Sequence, residues 1–166
     1  MDMKQILLFV LLLVPVWTCH EHRCLNETRL REVAQKKLES RFRQPLDPSP
    51  TADPGSPLSC PVELYRQRQP LPGLRNRSLS PWRYVTVTDE DLFPPSYVKA
   101  ECLCSGCIQV RGDGSVKQSF DFNSVEIKQS RVFLRRERCC GGDTYTLKPV
   151  SVDVAVGCTC ARATSN

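Results

Sequence analysis

Apolar and polar residues alternate along several short segments of the chain, the first of which begins at Trp82. These segments are rich in Val, Ile, Phe and Tyr, and clusters of Gly, Pro, Asn, Asp and Ser separate them. Alternation with a period of two places every second side chain on one face of a strand, and the separating residues favour turns. The segments cover residues 82–87, 97–104, 116–122, 125–134 and 145–160. The pattern therefore predicts an all-β fold of four or five antiparallel strands.

The last of these segments has the clearest alternation. Its even-numbered apolar residues are Val150, Val152, Val154, Val156, Cys158 and Cys160. Because side chains of one parity share a face, we expect these residues to lie together and the two cysteines to point the same way. Tyr145 and Leu147 have the opposite parity, and Pro149 lacks the N–H that a strand ladder uses. The sequence thus predicts a bulge or a strand edge near Pro149.

Two other patterns precede the β segments. Within residues 20–44, apolar side chains recur every three or four positions among charged ones, which predicts a short amphipathic helix. These apolar residues are Leu30, Val33, Ala34, Leu38 and Phe42. A helix of this length is marginal without a packing partner, so a frayed arm is the alternative. Residues 45–61 contain six prolines, which exclude helix and interior strand and predict an extended linker.

The start of the chain has the features of a secretory signal peptide. The apolar stretch from Ile6 to Trp17 has the length of a signal core and is shorter than the roughly 20 residues that cross a bilayer. We expect cleavage after Thr18, which gives a secreted, extracellular protein without membrane insertion. The expected division is a signal peptide at 1–18, an N-terminal arm with a Pro-rich linker at 19–61, and one folded domain at 62–166.

Composition adds the cysteine chemistry to this outline. The chain has 166 residues, ten cysteines and a formal net charge of +5, which suits one domain and is too mild to indicate nucleic-acid binding. Seven of the cysteines are Cys102, Cys104, Cys107, Cys139, Cys140, Cys158 and Cys160. Their close spacing would also suit a zinc site, but an exported protein is expected to form disulfides instead. Two cysteines on the last strand can bond side by side to two from residues 102–107 if Gly106 bends the backbone, although spacing alone does not choose the pairing.

The sequence contains no recognisable catalytic motif. Its two histidines, His20 and His22, lie near the expected mature start, and neither a nucleophile elbow nor a phosphate-binding loop is present. We therefore expect a protein that is not an enzyme and that uses no cofactor and no metal.

Five motifs have the order and spacing of the interleukin-17 cytokine family. They are Ser80-Pro81-Trp82-Arg83-Tyr84, Ala100-Glu101-Cys102 with Gly106-Cys107-Ile108, Asn123-Ser124-Val125, Val132-Phe133-Leu134-Arg135-Arg136, and Val156-Gly157-Cys158-Thr159-Cys160. Residues 76–161 resemble the family. This resemblance implies a small, disulfide-rich, cystine-knot-like fold that is dimeric, with the disulfides Cys102–Cys158 and Cys107–Cys160.

The resemblance also implies how the remaining cysteines are used. Cys60 resembles the family's N-terminal cysteine, which bonds across the dimer to a cysteine that matches Cys139 or Cys140. The other member of that adjacent pair is expected to bond to Cys104. An interchain disulfide is thus part of the expected homodimer.

The same resemblance implies roles for two serines and for a receptor-binding surface. Ser80 and Ser124 occupy the places where other knot proteins have a third disulfide, so both are expected to be buried and hydrogen-bonded. The implied function is that of a dimeric ligand that binds and clusters interleukin-17-type receptor ectodomains and triggers inflammatory and mucosal defence signalling. The receptor-binding candidates are Trp82, Arg83, Tyr84, Arg135 and Arg136. For the two aromatic residues, which share a face of their strand, burial in the core is the default interpretation and partial exposure at a receptor interface is the alternative.

An alternative function uses two other motifs. Arg131, Arg135, Arg136 and Arg138 form a basic run that suits heparan sulfate, although a solvated face, or charges that meet an acidic receptor surface, is the preferred explanation. The tripeptide Arg111-Gly112-Asp113 is one that integrins recognise, and its structural explanation is a hairpin turn. The alternative is therefore a secreted knot-type growth factor or matrix factor that binds glycosaminoglycan or integrin.

Two sequons complete the candidate sites. Asn26-Glu27-Thr28 and Asn76-Arg77-Ser78 have the Asn-x-Ser/Thr pattern of N-glycosylation, which requires export and an exposed segment. Asn76 matches a sequon of the family just before its Ser-Pro-Trp motif and is the preferred acceptor.

Overall fold

A computed structural model describes residues 24–67, 71–140 and 142–162 of the chain. The expected signal peptide and both histidines lie outside these residues. The helices are α1 (Glu27–Arg41), α2 (Val62–Arg66) and α3 (Leu74–Arg77). The strands are β1 (Trp82–Thr88), β2 (Leu92–Phe93), β3 (Ser96–Cys102), β4 (Gly106–Val110), β5 (Val116–Arg138) and β6 (Tyr145–Arg162). The all-β fold with antiparallel strands is confirmed.

Two sheets share the strands. In the smaller sheet, β1 pairs with β3 in antiparallel register from Trp82↔Cys102 to Thr88↔Ser96. In the larger sheet, β5 is central and pairs with β2, β4 and β6. The segments predicted at 116–122 and 125–134 are one strand of 23 residues, because the turn residues between them stay in the ladder with β6. The short strands β2 and β4 have no separate signal in the alternation.

The irregularity of β6 lies at a different place from the one expected. Pro149 stays in register opposite Leu134, whereas the register shifts between Ile127 and Lys128, which pair with Gly157 and Ala155. Val156 is the extra residue, so the alternation changes sides there. Val154 packs with Phe133 and Leu92, and Cys158 packs with Trp82 and Ala100 in a separate cluster. The prediction of one shared face from Val150 to Cys160 was therefore wrong, because a bulged residue exchanges the two faces of a strand.

The predicted helix forms and has a packing partner. The side chain of Asn26 caps α1 by accepting a hydrogen bond from the N–H of Arg29 at 3.0 Å. Leu30 and Ala34 are fully buried where α1 packs against β2, β5 and β6. Burial of the leucine alone contributes about 2 kcal/mol, which makes a short helix stable where an isolated one would fray. No helix of the described residues is both long enough and apolar enough to span a bilayer.

The Pro-rich segment lies against the sheets. We call residues 44–57 the strap, because this irregular segment crosses the two sheets and is bound to them at several points. Gln44 donates to the carbonyl oxygen of Val132 at 2.6 Å, and the N–H of Thr51 donates to the carbonyl oxygen of Tyr84 at 2.8 Å. Its prolines prevent regular secondary structure, as expected.

Candidate functional site

Two disulfides join β6 to the neighbouring strands. Cys102 at the end of β3 bonds to Cys158, with their Cα atoms 5.8 Å apart. Cys107 on β4 bonds to Cys160, with a Cα–Cα distance of 6.0 Å. The structure thus contains both bonds that the family resemblance implies. Each closes a loop of more than 50 residues, since the sequence separations are 56 and 53.

The two serines of the knot lie beside this pair of disulfides. Ser80 is fully buried, and its Oγ lies 2.5 Å from the Oγ of Ser124. Ser124 is half-buried and pairs with Cys160 across the β5–β6 ladder. The two hydroxyl groups therefore link the segment before β1 to β5 by a hydrogen bond.

The remaining disulfides differ from the expected interchain pattern. Cys60 bonds to Cys104 within the same chain, with Cα atoms 4.6 Å apart. The physical reason is that Val62 and Tyr65 of α2 pack against the buried cluster that contains Cys104, which places Cys60 beside it. The expected bonds from Cys60 to Cys139 or Cys140, and from the spare cysteine to Cys104, are therefore absent from this structure.

Cys139 is also used within the chain. It bonds to Cys24. Leu25 forms an antiparallel bridge with Tyr145, and this bridge places the adjacent Cys24 near the end of β5, where Cys139 follows. Cys140 is disulfide-bonded as well. The sulfur atoms that the zinc alternative would use are likewise in disulfides, and no group of metal-ligating side chains occurs among the described residues.

The predicted receptor residues of β1 are mostly covered. Trp82 is 6% exposed, meets Tyr84 edge to face at a centroid distance of 6.5 Å, and lies over Gly157. A Cβ atom on that glycine would come within 3.3 Å of the indole. The ring can therefore pack closely on β6 because residue 157 has no side chain. The indole N–H has no hydrogen-bond partner among the described residues. Trp82 therefore belongs to the core of the domain, as the default interpretation of the paired aromatic residues predicts.

Arg83 forms a polar cluster that joins β1, β3 and the strap. Its guanidinium donates to Glu101 at 2.9 Å and to the Oγ and carbonyl oxygen of Ser56 at 2.8 and 2.7 Å. Burial of Glu101 raises its pKa, but hydrogen bonds from Arg83 and Lys99 outweigh that effect and hold the net pKa below its ordinary value. Arg83 is only 8% exposed, so it fixes the strap to β1 and β3 and presents little surface to a partner.

Tyr84 lies under the middle of the strap. Its N–H donates to the Oγ1 of Thr51 at 2.9 Å, and its carbonyl oxygen accepts from the N–H groups of Thr51 and Ala52. Its ring is half-buried. Of the three candidates on β1, Tyr84 is the only one with a substantial accessible side chain.

The second anchor of the strap is an ion pair. Asp47 accepts from Arg131 at 2.7 Å and from the N–H of Val98 at 3.0 Å, and the side chain of Arg131 is only 7% exposed. Sequence reasoning missed Asp47, Thr51 and Ser56, because a run of prolines and polar residues shows no periodicity that would reveal a docked segment.

The basic run on β5 does not form one surface. Arg131 is buried beneath the strap, and Arg136 pairs with Asp91 at 2.8 Å and with Glu27 at 3.3 Å. The hydrogen bond to Asp91, followed by the charge of Glu27, holds the pKa of Arg136 above its ordinary value despite some desolvation. Arg138 stacks on Tyr145. Arg135 is exposed and lies across the ladder from Lys148. The structure therefore separates the four arginines that the heparan sulfate alternative groups together.

The integrin-type tripeptide lies at a hairpin tip. It follows β4, and the N–H of Gly114 donates to the carbonyl oxygen of Arg111 at 3.0 Å. Gly114 has a φ of 83°, which favours glycine in this turn. The carboxylate of Asp113 accepts from the N–H of Ser115 at 2.8 Å, and hydrogen bonding from Ser115 lowers its pKa. Both charged side chains of the tripeptide are exposed.

The two sequons differ in their surroundings. Asn26 is exposed at the start of α1 and caps the helix with its oxygen, which leaves the amide nitrogen directed away from that bond. Asn76 is half-buried, and its amide nitrogen donates to the carbonyl oxygen of Pro72 at 2.8 Å. The hydroxyl of Tyr65 also donates to the carbonyl oxygen of Asn76, and burial raises the pKa of this tyrosine to about 12.

Exposed apolar residues on β5 and β6 were not singled out in the sequence. Val125, Ile127 and Val156 are 36%, 47% and 38% exposed. Ile127 pairs with Gly157, the neighbour of Val156, so these residues are close across the ladder. Their signal in the sequence was ambiguous, because the same apolar alternation predicts a buried face.

Comparisons with known proteins agree with this architecture. A family model described as Interleukin-17 matches residues 78–162. Human interleukin-17C is 37% identical over 115 residues, which are 64% of this chain and 56% of that protein. Mouse interleukin-17C is 38% identical over 109 residues, 61% of this chain and 54% of that protein. Interleukin-17F of Callithrix jacchus is 32% identical over 139 residues, 80% of this chain and 81% of that protein.

The chain thus spans just over half the length of the interleukin-17C proteins that it matches. Within the family, residues 80–90 and Cys102-Leu103-Cys104 resemble interleukin-17C, which is consistent with these matches. The family match covers every strand of the structure and both disulfides that join β6 to β3 and β4. The chain therefore belongs to the interleukin-17 family.

Proposed function

We propose that the mature protein is a secreted cytokine that acts as a homodimeric ligand. It binds interleukin-17-type receptor ectodomains, brings receptor chains together and triggers inflammatory and mucosal defence signalling. The observation that carries this proposal is the family match over residues 78–162, which includes the whole disulfide frame. The apolar start of the chain and its many disulfides support export through an oxidising compartment, with removal of residues 1–18.

A second copy of the chain is the proposed occupant of the exposed apolar surface on β5. Val125 and Ile127 are two residues apart and so share a face of this strand, and the family resemblance implies a dimer. A stable interface buries about 800 Å² on each partner, with an apolar centre of this kind. Cys60 is bonded within its own chain, which favours a dimer held by packing alone.

The dimer is tested by Ile127→Asp, which places a charge in the proposed interface. We expect a dimer of the native protein and a monomer of the variant in size-exclusion chromatography with light scattering. Val110→Asp is the matched control, because Val110 is 55% exposed near the hairpin tip, away from this surface. A variant that stays dimeric would exclude this surface. A native dimer that persists in denaturant and dissociates only on reduction would show that an interchain disulfide holds it.

Receptor engagement is tested with the same pair of variants. Immobilised ectodomains of the interleukin-17 receptor family measure binding, and receptor-bearing cells measure signalling. Clustering requires two equivalent surfaces, so a folded Ile127→Asp monomer should bind an ectodomain and fail to signal, whereas Val110→Asp should do both. Full signalling by the monomer would contradict the clustering mechanism.

Among the receptor candidates, Tyr84 and Arg135 have accessible side chains, whereas the partly exposed guanidinium of Arg136 is already paired with Asp91 and Glu27. Tyr84 is half-buried beside the strap, and Arg135 is exposed next to Lys148. Tyrosine and arginine are enriched among the residues that carry most of the binding energy of protein interfaces. We expect Tyr84→Ala and Arg135→Ala each to weaken ectodomain binding about tenfold or more, with folding checked by an unchanged disulfide map.

The second candidate function is that of a matrix factor that binds integrin. The observation in its favour is the exposed Arg111-Gly112-Asp113 at the hairpin tip. Asp113→Glu should abolish cell adhesion and leave ectodomain binding unchanged if this function exists. Adhesion that is unaffected by the substitution would exclude it.

A further inference from the structure

We propose that the outer edge of β1 is a docking edge for an extended segment of the receptor, and that the strap occupies this edge as a resident competitor until the receptor binds. The inference rests on the proposed receptor-ligand function and adds to it a binding mode and a form of regulation. It is carried by four features: the backbone bonds of the strap, its polar attachment, its two disulfide tethers and the cavity beneath it.

The outer edge of β1 already binds the strap, which bends at Ala52 and does not form a strand there. Its inner edge is paired with β3 along its whole length, from Trp82 to Thr88. On the outer edge, the carbonyl oxygen of Tyr84 accepts from Thr51 at 2.8 Å, and the N–H of Tyr84 donates to the Oγ1 of Thr51 at 2.9 Å. In an antiparallel pair, every second residue directs its N–H and C=O outward, so Thr86 continues the same edge. Strand addition to such an edge is a common mode of peptide recognition.

The strap is attached by polar contacts. Leu46, its leucine, is 99% exposed, and no residue of the strap belongs to the buried hydrophobic core of the described residues. Its anchors are the Asp47–Arg131 ion pair, the bonds of Arg83 to Ser56 and the backbone bonds at Tyr84. A segment that buries little apolar surface opens at a much lower cost than the core does.

Disulfides flank the strap on both sides. Cys24–Cys139 precedes it and Cys60–Cys104 follows it, so both ends remain on the domain when the middle is released. A competitor that is tethered in this way has a high effective concentration at its own site and rebinds when the partner leaves. The arrangement suits reversible masking of the edge.

The cavity under the strap indicates what the partner carries. It has a volume of about 300 Å³, and its apolar wall consists of Tyr84, Val98, Ala155 and Val156. Arg131 contributes its buried guanidinium, whose Nε has no hydrogen-bond partner among the described residues. When the strap opens, water can reach Arg131, and a partner that covers this guanidinium again must supply an anion, since an unpaired buried charge is very unfavourable. The partner segment therefore carries an Asp or Glu next to an apolar side chain.

The first test removes one anchor of the strap. Asp47→Asn deletes the charge that pairs with Arg131, and Asp53→Asn is the matched control, because it removes the same charge from an exposed position of the strap. Binding is measured to immobilised ectodomains of the interleukin-17 receptor family. If the closed strap is the dominant state, opening it raises the apparent affinity in proportion to the competent fraction. We expect about tenfold tighter binding for Asp47→Asn and no change for Asp53→Asn.

Hydrogen–deuterium exchange of the complex provides a readout that a merely structural strap would not give. On binding of the native protein, peptides from residues 46–57 should exchange faster, while peptides from β1 should exchange more slowly. A strap that is only part of the scaffold would keep or gain protection, and Asp47→Asn would then bind equally or more weakly. Either result would overturn the docking edge and leave the receptor function standing.

A second variant keeps the inference testable if Asp47→Asn does not fold. A protease-cleavable sequence inserted between Pro54 and Gly55, in an exposed turn, leaves all the anchors in place during folding. Cutting it before the measurement should raise ectodomain affinity relative to the uncut sample of the same protein. If no ectodomain binds the native, cut or substituted proteins, the receptor function fails, and this inference fails with it.

Discussion

Replacement of both knot serines by cysteine should add a third cross-link to the disulfide frame. The Oγ atoms of Ser80 and Ser124 are 2.5 Å apart, so the two side chains point at each other, as the side chains of a disulfide pair must. The site lies beside Cys160, because Ser124 pairs with this cysteine in the β5–β6 ladder. The double variant Ser80→Cys/Ser124→Cys is therefore expected to form the bond during normal oxidative folding.

The magnitude follows from the loop that the new bond closes. The two positions are 44 residues apart, for which the loop-entropy relation gives about 4 kcal/mol of stabilisation. Loss of the serine–serine hydrogen bond costs about 1 kcal/mol, because Ser80 is fully buried. The net gain of about 3 kcal/mol corresponds to an increase in Tm of about 10 °C for a domain of this size.

The assay combines chemistry with calorimetry. Mass spectrometry of linked peptides identifies the 80–124 bond, and differential scanning calorimetry measures Tm. The single variants Ser80→Cys and Ser124→Cys are the controls, and each should be no more stable than the native protein. A double variant without the bond, or one that forms the bond and has a lower Tm than the native protein, would refute the assignment of these serines to the third knot position.

Three further predictions concern stability and modification. Cys158→Ser removes the bond to Cys102, which closes a loop with a sequence separation of 56 and contributes about 4 kcal/mol, so the protein should not be secreted in folded form; a secreted, protease-resistant variant would contradict this. Because the pKa of Glu101 is lowered in the folded state, its contribution is present above the ordinary glutamate value of about 4.3 and is lost as pH falls through the lowered value. Urea unfolding should therefore show a stability difference between the native protein and Glu101→Gln at pH 6 that shrinks below about pH 4; a constant difference would argue against the ion pair with Arg83. Asn26→Gln should remove one glycan from the secreted protein and lower stability by about 1 kcal/mol through loss of the helix cap, and an unchanged mass would show that this sequon is unused.

Local pattern in the sequence was sufficient for most of the strands and for α1. The alternation from Trp82 onward depends on which side chains face the core, and a period of two is visible without knowledge of the partner strand. The three-to-four spacing of Leu30, Ala34 and their neighbours predicted a helix in the same way. The bulge on β6 was misplaced, because the sequence shows Pro149 plainly, whereas the extra residue Val156 is visible only in the pairing with β5.

The sequence alone determined a disulfide-rich, all-β protein and predicted its export, because hydrophobic periodicity and cysteine content are local properties of the chain. The resemblance of its motifs added the family and the disulfides of Cys102 and Cys107. Only the tertiary structure decided that Cys60 bonds to Cys104 and that Arg131 pairs with Asp47. These contacts join positions 44 and 84 residues apart, and which distant groups meet depends on how the whole chain packs. For the same reason, the covering of β1 by the strap could not be foreseen from a run of prolines.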